Sequence, residues 1–130
     1  MRATRVKAGP VPLDEQEIDF LFVLDVEATC VKDNDPNFKQ EIIELPVVCI
    51  DVRGKYSRRR APEFKRRDRR FGTPVAEFRS FIQPEESSEL SKYCTKLTGI
   101  RNEDVKSAPT LRTALQMLHE WVDATIRTHS

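Results

Sequence analysis

The feature that most limits the fold is a short apolar run that stops at two acids, Phe20-Leu21-Phe22-Val23-Leu24-Asp25-Val26-Glu27. A near-continuous run rich in Val and Phe, and short for a helix, predicts a strand buried on both faces. A second run, Glu41-Ile-Ile-Glu-Leu-Pro-Val-Val-Cys-Ile-Asp51, predicts another strand. Pro46 lies inside it and argues for an edge position or a bulge, because proline cannot donate to a sheet ladder. Val75 to Gln83 alternates in polarity at first and predicts a third strand, ending at Pro84. The three runs follow one another closely, so antiparallel neighbours are expected. Between the first two, Asp33-Asn34-Asp35-Pro36 signals a loop.

The remainder reads as helix. Leu90 to Leu97 makes about two turns before Gly99, a residue suited to ending a helix. Glu103 to Lys106 adds a short turn. Leu111, Leu115, Leu118, Val122 and Ile126 recur at spacings of three and four, which predicts one apolar face of an amphipathic helix capped by Thr110. Three strands followed by helices give an α+β start that can continue into a mixed α/β sheet.

The chain has 130 residues, enough for one domain at most, and 38% of them are hydrophobic against 33% charged. No apolar run approaches the ~20 residues needed to span a bilayer, and the basic first ten residues have no apolar stretch behind them, so neither a membrane span nor a secretory signal is expected. Cys30, Cys49 and Cys94 are scattered, with no C-x-x-C pair, and read as reduced thiols. The net charge of +1 hides an asymmetry. Ten of the 22 Lys/Arg and two of the 21 Asp/Glu lie between Arg53 and Arg70, leaving 12 basic residues against 19 acidic ones elsewhere. The expected organisation is a flexible tail over 1–17 and a domain over 18–130, with a basic insertion at about 53–74.

Asp25 and Glu27 sit two apart at the end of a predicted strand, and strand side chains alternate, so both carboxylates project from one face. Two anions this close repel unless a cation lies between them. Oxygen ligands suit Mg²⁺ or Mn²⁺, and a pair of such ions supports phosphodiester cleavage. Spacing alone fits two solvated acids equally well.

The surrounding strings narrow the choice. Asp25-Val-Glu27-Ala28-Thr29-Cys30, Glu41-Ile-Ile-Glu44-Leu-Pro-Val-Val, Phe81-Ile-Gln-Pro84 and Leu90-Ser-Lys-Tyr-Cys94-Thr-Lys-Leu97-Thr98-Gly99-Ile100 form a linked pattern. It resembles the first exonuclease motif and the following segments of the DEDD superfamily, histidine-type (DEDDh) subclass. More narrowly, it is similar to the enhanced-RNAi and histone-mRNA 3′ exonuclease group. The resemblance covers about Ile18 to Val122, apart from the basic segment.

The resemblance implies an RNase H-like fold, a mixed five-stranded sheet flanked by helices, cut off here after three strands and the first long helix. It implies a 3′-5′ exoribonuclease in which Asp25 and Glu27 are catalytic and bind two Mg²⁺ ions, with Mn²⁺ as a substitute. Ala28 and Thr29 match the stretch that approaches the terminal nucleotide. Leu97 and Thr98 fall in a segment that lies near the substrate end, although a helix end packing on the sheet would also explain them. RNA 3′ ends are the implied partner, with ribonucleoprotein or RNA-silencing proteins beside them, in the cytoplasm or nucleus.

Two departures qualify the resemblance. A complete site needs an Asp after a fourth strand and a His with an Asp five residues on, and neither motif is found before Ser130. His119 and Asp123 are spaced by four on the long helix and read as a surface contact between turns. His129 has no supported role. The chain is therefore expected to be an incomplete domain, inactive alone. The alternative is a non-catalytic RNA- or protein-binding module built on the same fold. The second departure is the basic segment, which stands where a short turn is expected. It reads as a solvated insertion, an RNA-contacting loop, a nuclear-localisation-like cluster, or, at Gly54-Lys55-Tyr56, an unspliced intron donor.

Overall fold

The computed structural model describes residues 18–33, 35–52 and 73–130. The expected tail over 1–17 and residues 53–72 of the insertion expected at about 53–74 lie outside the described residues, while Thr73 and Pro74 begin a strand. Seven elements follow in order. They are β1 (Phe20–Leu24), β2 (Glu27–Ala28), β3 (Ile42–Asp51), β4 (Thr73–Phe81), α1 (Lys92–Thr98), α2 (Asn102–Lys106) and α3 (Leu111–His129).

All the strands pair antiparallel. β3 is central, with β4 along one side and β1 and β2 end to end along the other. β1 runs from Phe20 opposite Asp51 to Leu24 opposite Val47, and β2 resumes in the same register with Glu27 opposite Glu44. One interrupted strand thus lies along β3. Carried through the gap, the register puts Asp25 opposite Pro46 and Val26 opposite Leu45. A bulge follows, and Ala28 falls opposite Ile42.

Pro46 is where the sequence expectation fails. It occupies the middle of the central strand, neither an edge nor a bulge. Proline lacks the N–H of a ladder bond, and the neighbouring strand is interrupted at the same level, at Asp25 and Val26. The cost of proline is met by a break in its neighbour.

Strand alternation divides the sheet into two unlike faces. Ile43, Leu45, Val47 and Cys49 are each no more than 2% exposed and form the core face. Burying an aliphatic side chain of this size contributes about 1.5–3 kcal/mol. α3 lies on that face. Ala114 packs with Leu45 and Ile82, and Trp121 meets Phe22 edge-on at 5.8 Å and Phe78 at 5.6 Å. α1, α2 and the link between them supply Cys94, Val105 and Ile100, which pack on Ile43. The opposite face has no such cover among the described residues, and Val23 is half exposed there.

The helix ends behave as their residues dictate. Ser91 and Thr110 accept N–H bonds from Cys94 and Thr113 as N-caps. Gly99 closes α1 at φ 76, a left-handed conformation that costs glycine nothing. Of the apolar face expected for α3, Leu111 and Leu118 pack on the core cluster, and the rest is rotated. Leu115 and Ile126 are exposed, while Ala114 and Thr125 are buried and Trp121 makes the aromatic contacts. His119 and Asp123 form the expected exposed contact between turns, at 3.6 Å. Among the described residues no helix is long and apolar enough to cross a membrane.

Candidate active site

Asp25 lies in the gap between β1 and β2, and Glu27 opens β2. The register puts both on the uncovered face, with Asp25 exposed and Glu27 half-buried. The next three residues are tied down one after another. The Ala28 carbonyl accepts from the Cys94 thiol at 3.7 Å. Thr29 is 3% exposed. Its N–H donates to the Glu41 carbonyl at 2.8 Å, and its hydroxyl oxygen accepts from the Glu41 N–H at 2.9 Å. The Cys30 carbonyl accepts from the Ser91 hydroxyl at 2.7 Å. The segment carrying the two carboxylates is thus fixed to the start of β3 and to α1.

Burial pushes the Cys30 thiol up, and a hydrogen bond with Cys94 and the nearby negative charge of Glu27 push it further. All three cysteines are free thiols.

Glu41 anchors a second loop. Its carboxylate accepts backbone N–H bonds from Glu85 at 2.6 Å, Glu86 at 3.1 Å and Ser87 at 3.0 Å. Burial alone would raise its pKa, but these donors outweigh burial and hold the carboxyl below its ordinary value.

Glu44 lies directly opposite Glu27. Only 12% of its side chain is exposed, and its carboxylate pairs with the Arg79 guanidinium at Nε. Arg79 in turn lies over the Phe81 ring, 4.7 Å from the centroid. Sequence reasoning singled out neither Glu44 nor Arg79 as a site residue. The available signal was Glu44 interrupting an otherwise apolar strand, but its partner becomes visible only once β4 is paired with β3.

On α1, Leu97 is 65% exposed. Thr98 is half-buried, donating its hydroxyl to the Cys94 carbonyl at 2.9 Å and accepting the Ile100 N–H at 3.1 Å. The structure therefore brings Asp25, Glu27, Ala28 and Thr29 onto one short segment and joins that segment to the helix bearing Leu97 and Thr98.

The donor chemistry of Asp25 and Glu27 suits a hard divalent cation. Among the described residues no group of three or more His, Cys, Asp or Glu side chains is arranged to hold a metal ion. The pair fits such an ion in kind and is incomplete in number.

An exonuclease family model matches residues 22–129, which include both carboxylates and all three helices. The chain belongs to the DEDDh 3′-5′ exonuclease family. Within that family it is 34% identical over 108 residues to ERI1 exoribonuclease 2 of Danio rerio, covering 83% of this chain and 16% of that protein. It is 37% identical over 109 residues to the 3′-5′ exonuclease Snipper of Drosophila melanogaster, covering 82% of this chain and 33% of the relative. In three dimensions it resembles the nuclease domain of 3′hExo, a DEDDh family member, bound to rAMP. That match has a TM-score of 0.66 and 29% identity, and it covers 82% of this chain and 44% of the other. The chain thus spans a third or less of these two curated relatives and under half of that structure. The RNase H-like fold inferred from the motifs agrees with this DEDDh neighbour.

Proposed function

We propose that this chain carries the first half of a 3′-5′ exoribonuclease site, with Asp25 and Glu27 as its first metal-binding carboxylates. The supporting observation is the placement of both acids on the uncovered face, at a break in the strand, on a segment clamped by Glu41 and α1. Two Mg²⁺ ions, or Mn²⁺ in their place, would supply an activated water and stabilise the departing oxygen of a phosphodiester. Asp25 and Glu27 would hold them. The anchoring of Ala28, Thr29 and Cys30 keeps the carboxylates in place without spending side-chain entropy at each turnover. Ala28 and Thr29 border the position of the terminal nucleotide, and exposed Leu97 with Thr98 offers an apolar and a polar contact beside it.

The family pattern takes further metal-binding aspartates and a histidine base from segments that have no counterpart in these 130 residues. The chain alone is accordingly inactive in this reading, and the whole protein carries the activity on RNA 3′ ends.

The test is 3′ trimming of a 5′-labelled single-stranded RNA in Mg²⁺. The full gene product should shorten it stepwise, Asp25→Asn and Glu27→Gln should each slow it at least about a hundredfold, and the 130-residue chain should leave it intact. Robust turnover by the 130-residue chain would refute the incompleteness, and undiminished turnover by Asp25→Asn would refute the site.

A further inference from the structure

We infer that Arg79 is a binding residue for the RNA backbone, a fixed guanidinium that takes a phosphate next to the one being cleaved. The inference rests on the proposed nuclease site and deepens it. Pro46 lies opposite Arg79 on one side, and the β1–β2 register places Asp25 opposite Pro46 on the other. Directly opposed residues share a face, so Asp25, Pro46 and Arg79 form one row across the uncovered face. Adjacent strands are about 4.8 Å apart, which puts the Arg79 and Asp25 backbones about 10 Å from each other.

The side chain is held on two sides. Its Nε pairs with Glu44, and its Cζ sits over Phe81, which is itself packed against the Ile43 cluster. Engaging Nε leaves the two terminal Nη groups, and among the described residues no second carboxylate pairs with Arg79. At 62% exposure the side chain is open to a ligand. Neutralising Glu44, only 12% exposed, engages Nε alone and leaves the fork in solvent. A guanidinium pinned at its base and open at its fork is suited to bidentate phosphate contact.

The test is fluorescence anisotropy of a labelled single-stranded oligoribonucleotide with the 130-residue chain in Mg²⁺, across a salt series. Arg79→Gln should weaken binding about fivefold and lower the salt slope by about 0.7, one phosphate contact on a single strand. Arg79→Lys should restore the slope while recovering only part of the affinity, because the charge returns without the fork. Thermal unfolding of each variant reports any structural loss, which would not move the slope. An unchanged slope in Arg79→Gln overturns the inference. Asp25→Asn separates it from the underlying reading. If Mg²⁺-dependent binding survives Asp25→Asn while Arg79→Gln still lowers the slope, the metal site falls and the phosphate contact stands. A wild-type chain that binds no RNA at any salt overturns the phosphate contact, while the nuclease reading is decided by RNA trimming with the full gene product.

Discussion

Glu41 shows how one side chain can organise its surroundings without touching the chemistry. Its carboxylate gathers the N–H groups of Glu85, Glu86 and Ser87, while its backbone clamps Thr29. Glu41→Gln keeps the shape but loses the charge-assisted bonds, so it should destabilise the fold by about 1–3 kcal/mol at pH 7 in urea denaturation. The folded carboxyl is held below its ordinary value near 4.5. Its contribution is therefore complete above that value and is lost as the pH falls through the lowered one. The difference between Glu41→Gln and the parent should shrink accordingly in acid. Cys30 reports on the site by the opposite sign. Its thiol is raised by burial, by Cys94 and by Glu27, so alkylation at neutral pH should be slow. Glu27→Gln removes one raising charge and should speed Cys30 labelling, followed by mass spectrometry of the modified peptide. An unchanged rate would mean that Glu27 is not acting on the thiol. At this scale Asp25 and Glu27 were legible because period-two alternation makes D-x-E a same-face pair on any strand. The partners of the Glu41 and Glu44 carboxylates were not, since each lies at least 35 residues away in sequence.

Among the elements, α3 was foreseen in extent and in its Thr110 cap but not in rotation. Counting leucines favoured a stripe through Leu115 and Ile126. The sheet receives Leu111 and Leu118 from that stripe but Ala114 and Trp121 from beside it, because a small residue allows close approach and one indole can bridge Phe22 and Phe78. Trp121→Ala should therefore cost about 2–3 kcal/mol, less than a fully buried tryptophan because this one is half-buried. Leu115→Ala, at a side chain 48% exposed, should cost under about 1 kcal/mol. Thermal denaturation of the two variants followed by circular dichroism checks the order, and a larger loss from Leu115→Ala would favour the leucine stripe. β3 carries the companion lesson. Its length and polarity were read correctly, and its central position was not. A proline penalty depends on what lies across the ladder, which a one-dimensional pattern does not contain.

Across the whole molecule, the antiparallel sheet and its helical cover follow from two apolar runs, an alternating third and one amphipathic segment, all present in the sequence. The division into a packed and an uncovered face needed the pairing register. That register also makes β1–β2 a strand with a deliberate gap. The ladder stops at Leu24, resumes at Glu27 and sits opposite a residue that cannot donate. Hydrogen exchange should resolve the gap as a local minimum of protection. The Asp25 and Val26 amides should exchange well ahead of those of Val23 and Cys49, by sub-global opening that leaves the core shut. Uniform protection along β1 and β2 would contradict it. Asp25 thus sits where the ladder is open and Glu27 where it resumes, within a strand whose two halves are held in a common alignment. At the proposed site a divalent cation would be met by one carboxylate on open backbone and one on paired backbone, and its binding would register as slowed exchange at the Asp25 and Val26 amides.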